Sequence, residues 1–144
     1  MVREVSSVPR AARSAGAADR SAFYSAAALD LALVLLFAIL GRSSHGEAND
    51  VRGLLHTAGP FLVGALLGQG LSRSWRRPVS LTTGVVVWLC TVTVGVALRL
   101  AGGDTARLPF VIVATVTLAL LLVGWRLLYA LVRLRRSPRR SVRR

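Results

Sequence analysis

Four long apolar runs separated by short polar stretches make up most of the chain: residues 22–40, 54–71, 79–98 and 108–131. Each approaches the roughly 20 predominantly apolar residues that a helix needs to cross about 30 Å of hydrocarbon. The pattern therefore predicts four transmembrane helices. The second run holds Pro60, whose ring crowds the carbonyl of His56 and removes a donor, so a kink is expected there, tolerable inside a bundle. The fourth contains Arg126 but opens with eighteen uncharged residues.

The flanks differ in character. Residues 1–21 are rich in Ala, Ser and Arg with no periodic apolar pattern, and 132–144 are Arg-rich with no apolar partner face. Such segments bury too little surface to offset ordering entropy, so both are expected to be disordered tails. A cleavable signal peptide is the alternative for the amino end, but Gly41-Arg42 lacks a small-x-small cleavage pattern and more spans follow. The short links make sequential spans antiparallel. The expected fold class is thus all-α: an integral membrane bundle of four helices at 22–131, up-down-up-down, with left-handed crossings. No internal repeat and no soluble domain are visible.

Composition agrees with the membrane class, since 53% of the residues are hydrophobic while only 6% are aromatic. All nineteen basic residues are arginine, against six acids, for a net charge of +13. The arginines bracket the apolar runs instead of forming a stripe on a soluble surface, so topology explains them better than nucleic acid does. No nucleic-acid partner is expected. The amino tail carries four arginines, the 72–78 loop three and the chain from Arg126 onward eight, while the other two links carry two each. Both termini and the middle loop should therefore face the cytoplasm, with the protein in the cell membrane. Cys90 stands alone in apolar sequence, so this chain by itself offers no disulfide or thiolate cage.

Within the runs, Asp30 is the conspicuous charge. It lies eight residues into the first span, about 12 Å deep at 1.5 Å per residue, and Arg126 enters the fourth span from the same side to a similar depth. A charge at the bilayer centre costs at least about 2.5–3.5 kcal/mol, so Asp30 should face inward and find a partner. Arg126 is the expected one, with Gln69 near the same level. An ion pair that fixes helix register is favoured over a proton or cation site, because a cation at matching depth works against a proton-carrying role.

Other features carry weaker signals. Gly84, Trp88, Thr91, Gly95 and Arg99 recur at spacings of three and four on one face of the third span. That face suits helix packing better than a ligand groove. Gly64 and Gly68 form a GxxxG that serves either packing or a dimer contact. The outer links gather a polar cluster of Arg42, His45, Glu47 and His56, joined by Asn49, Asp50, Arg99 and Asp104. No zincin spacing or His-x-x-x-His pair occurs there, so solvated loop polarity is favoured over metal. The arginine-rich tails are expected to sit on anionic lipid head groups.

Several stretches taken in order carry a family likeness: Asp30, Gly41-Arg42-Ser43-Ser44-His45-Gly46, Pro60-Phe61, Trp75-Arg76-Arg77-Pro78, the Gly84 to Arg99 face, Phe110 to Ala114, and Gly124-Trp125-Arg126. Over about residues 28–126 the sequence resembles the prokaryotic membrane family named domain of unknown function 3054. The resemblance implies a small integral membrane protein and transfers no catalytic residue. The expected role is a non-enzymatic membrane scaffold or assembly component, with no cofactor and with the lipid bilayer and a second copy as candidate partners. The alternative is a small dimeric transporter or channel using Asp30. Least favoured is an intramembrane enzyme built on His45, Glu47 and His56, since no nucleophile stands beside a convincing base.

Overall fold

The computed structural model of the protein describes residues 10–44, 46 and 50–136, and side chains from residue 20 onward. Five helices follow one another: α1 (Arg10–Ser44), α2 (Val51–Leu71), α3 (Leu81–Ala101), α4 (Leu108–Leu122) and α5 (Gly124–Arg136). The first three, and α4 with α5 together, are long and apolar enough to cross a membrane. Local chemistry sets their starts. Asp50 accepts a hydrogen bond from the Gly53 amide and Ser80 one from the Thr83 amide, each satisfying a donor that the first helical turn leaves free. Pro109 sits in the first turn of α4, where its missing N–H costs nothing. The α3–α4 link turns on Gly103, whose φ of +87° favours glycine.

Consecutive spans are antiparallel neighbours, and α4 returns beside α1. The α2–α3 seam shows the register plainly. Phe61 lies against Gly95, Gly64 against Cys90 and Thr91, and Gly68 against Val87, so partners descend α3 as they climb α2. A Cβ on Gly64 would stand 2.7 Å from the Cys90 carbonyl oxygen, and one on Gly68 would stand 2.7 Å from the Val87 Cα. The GxxxG therefore serves backbone approach within the chain. Phe61 is fully buried between Phe37, whose ring it meets edge-on at 5.6 Å, and Phe110 at 6.2 Å. Val34, Ala65, Val87, Ala114, Leu118 and Leu122 complete the core. It is a narrow core: between 17% and 33% of each span's most apolar window is buried, so most of the apolar surface faces outward.

The helices depart from the sequence reading at three places. The amino segment expected to be disordered through residue 21 is helical from Arg10, and α1 at 35 residues is about 52 Å long. The carboxyl tail expected from residue 132 is likewise helical as far as Arg136; residues 1–9 and 137–144 lie outside the described residues. The fourth span is not one helix but two, interrupted at Val123. Helix α2 runs through Pro60 from Val51 to Leu71, consistent with a proline accommodated inside a bundle.

Candidate functional site

The interruption at Val123 frees Leu122's carbonyl from its usual role, because the last carbonyls of a helix have no amide partner. Arg126 uses that acceptor. Its Nη1 donates to the Leu122 oxygen at 2.8 Å and to Asp30 Oδ1 at 2.8 Å, its Nη2 donates to Asp30 Oδ2 at 2.7 Å, and its Nε donates to the Pro78 carbonyl at 3.2 Å. Both charged side chains are completely buried. The two parallel N–H···O bonds are the bidentate geometry that makes arginine the preferred carboxylate partner in a dry site.

Asp30 is satisfied from two other helices, α2 and α5. Gln69 Nε2, near the end of α2, donates to Oδ2 at 2.6 Å, and Trp125 Nε1, at the start of α5, donates to Oδ1 at 2.9 Å. With the two bonds from Arg126, four donors meet a carboxylate that offers about four lone-pair positions. Trp125 also lies under the guanidinium, 4.5 Å from ring centre to Cζ. Gly84 of α3 makes room for the arginine stem, since a Cβ there would stand 2.7 Å from Arg126 Cδ. The result is a charge-balanced cluster, its ion pair fully buried, that joins α1, α2, α3, α5 and the loop before α3.

The expected Asp30–Arg126 pair with Gln69 beside it is thus present. Trp125 and the Pro78 carbonyl were not foreseen as partners. A tryptophan next to an intramembrane arginine was the available signal, but adjacent residues stand about 100° apart on a helix, and it is the length of both side chains that lets them reach one carboxylate.

The third-span face divides between two jobs. Gly84, Thr91 and Gly95 are buried against Arg126, α2 and Phe61 respectively. Trp88 Nε1 donates to the Thr115 carbonyl at 2.9 Å, tying α3 to α4, and Arg99 lies 3.2 Å from Asp104 with its Cζ 5.0 Å from the Phe110 ring centre.

The outer cluster splits into two groups. Arg42 meets Asp50 at 3.3 Å and Thr57 at 3.2 Å, joining the end of α1 to the start of α2. Solvent-facing His56 has Nδ1 3.9 Å from Asp104, which it shares with Arg99. His45 and Glu47 lie outside the described residues, and among the described residues no group of three His, Cys, Asp or Glu side chains could hold a metal.

Fold and cluster together define a small multi-pass α-helical membrane protein knit by a buried ion pair. More particularly, the chain belongs to the family described as protein of unknown function, DUF3054, which matches residues 27–129 and so takes in Asp30, Gln69, Trp125 and Arg126. No curated protein and no solved structure matches it.

Proposed function

We propose that the protein is a non-enzymatic membrane scaffold or assembly component, in which the Asp30 cluster holds four helices in one register. The observation that carries this reading is the saturation of Asp30: every acceptor position of the carboxylate is taken by a donor from the chain itself. A proton carrier or cation site needs an acceptor that its cargo can reach, and this one is enclosed. The outward apolar surface of each span leaves wide faces for lipid or for partner helices. In this reading the protein resides in the cell membrane with its arginine-rich end, holding both termini and the 72–78 loop, on the cytoplasmic side.

One feature favours a second reading, a small dimeric transporter. A spanning helix interrupted beside a charged residue is an arrangement that transporters use at their binding sites. Ion and drug flux in vesicles reconstituted with the wild type and with Asp30→Asn separates the two. The scaffold reading expects no flux from either protein; flux in the wild type that the variant loses selects the transporter.

A further inference from the structure

At the arginine-rich end, a groove of about 440 Å³ opens between the chain leading into α3 and the last turns of α5. Val79, Tyr129, Ala130, Arg133 and Leu134 line it, so it has apolar walls, one phenol and one guanidinium. Its height can be judged from helix length. From Leu108 to Arg136 the broken helix holds 29 residues, about 43 Å, whereas hydrocarbon occupies about 30 Å, so a span entering at Leu108 leaves it near residue 128. Tyr129 and Arg133 then stand where acyl chains give way to head groups, and Arg126 lies about 3 Å inside that boundary, shallower than the depth counted from residue 22, because α1 is already helical well before its apolar run begins.

The two segments that form the groove carry charge of one sign. Arg73, Arg76, Arg77, Arg135 and Arg136 are all exposed at this end, and residues 20–44, 68–80 and 124–136 contain no carboxylate other than Asp30, which Arg126 already neutralises. A second copy seated here would bring like charges together, whereas an anion with an apolar body meets both the cationic rim and the greasy walls.

We propose that this groove binds an anionic phospholipid, its phosphate at Arg133 and Tyr129 and an acyl chain along Val79, Ala130 and Leu134. The inference rests on the reading that the four helices span a bilayer with their arginine-rich end at its surface. A guanidinium has five N–H donors, so Arg133 can take a phosphate while keeping a contact within the chain. The site differs from diffuse attraction of a basic tail to lipid because it has a shape as well as a charge.

The test uses the full chain purified in detergent and native mass spectrometry with added phosphatidylglycerol or phosphatidylcholine of the same acyl chains. The wild type should retain phosphatidylglycerol preferentially. Ala130→Trp fills the groove without altering any charge, and it should weaken that retention about tenfold or more, as should Arg133→Gln, the scale of losing a charge-assisted contact. The single variant Arg135→Gln, which removes one charge outside the groove, should lose only the diffuse attraction, about fivefold. Leu134→Trp, at a more exposed position, replaces Ala130→Trp should the latter fail to keep its helix content. Unchanged retention in the groove-filling variant, or equal losses whichever arginine is removed, overturns the proposal. Failure to insert into vesicles in an alkali-resistant form would overturn the membrane-spanning reading instead, which separates the two failures.

Discussion

Arg126 grips Asp30 through two hydrogen bonds of 2.7 and 2.8 Å while neither side chain has any contact with solvent. The pair closes the bundle across the gap between its first and last spans, 96 residues apart in the chain. Taking two ions into such surroundings is expensive, and their mutual attraction offsets the cost only when the remaining donors and acceptors are also met. Here Gln69, Trp125, Leu122 and Pro78 meet them.

Removing one partner leaves the other charged and dry. Asp30→Asn and Arg126→Gln should each cost about 3–5 kcal/mol, whereas the double replacement Asp30→Leu/Arg126→Leu should cost less than either. Unfolding by sodium dodecyl sulfate titration in mixed micelles measures this. A double variant worse than both single ones would show that the pair does more than neutralise itself.

Trp125 contributes an indole N–H to a charged acceptor. Trp125→Phe keeps a ring beside Arg126 but withdraws that donor, and a hydrogen bond to a charged group is worth about 1.5–3 kcal/mol. The same unfolding assay should register a loss in that range, with helix content by circular dichroism unchanged. No loss would mean that Trp125 serves only to fill space.

The glycines of α2 should respond oppositely according to their surroundings. Gly64→Ala and Gly68→Ala push a methyl group into the backbone of α3 and should cost about 1–3 kcal/mol each. Gly59 has nothing within 4 Å of its would-be Cβ and lies inside the helix, so Gly59→Ala should gain about 0.5–1 kcal/mol. If Gly64→Ala altered cross-linking between copies and left monomer stability alone, the seam would belong to a dimer.

At the outer end Asp104 and Asp50 should differ in weight. Asp104→Asn weakens a largely buried pair with Arg99 but keeps a side-chain oxygen that can still accept from the guanidinium, and it should cost about 1 kcal/mol. Asp50→Ala loses both the Arg42 contact and the cap on α2, and capping alone is worth about 0.5–2 kcal/mol. Thermal unfolding in detergent ranks them; the reverse order would contradict the role given to the cap.

Much of the architecture was legible because hydropathy is additive and local. Four runs of sufficient length announce four spans whatever they pack against, and two charges at matching depth announce a pair. Gly64 and Gly68 were legible as a close-approach motif, yet their partner was not, since a GxxxG reads the same toward a neighbouring span as toward a second copy. The break at Val123 was invisible for a related reason: Gly124 sits in a run apolar enough to pass as one helix, and a single glycine is tolerated inside helices. Hydropathy does not announce the helical start at Arg10 or the end at Arg136, because polar flanks read as disorder even where alanine and arginine, both good helix formers, carry the helix on.

By itself, then, the chain's order of residues determined the all-helical class and the number of spans, both of which depend only on lengths and hydropathy measured along the chain. Tertiary structure decided which donors surround the carboxylate. Rotation and tilt of four helices bring Gln69, Trp125 and the Pro78 carbonyl to the pair from elements far apart in sequence, and the helix break leaves the Leu122 carbonyl to the guanidinium. Those angles are set by packing at Gly64, Gly68, Gly84 and Phe61, where contact is a property of two surfaces together and neither segment alone encodes it.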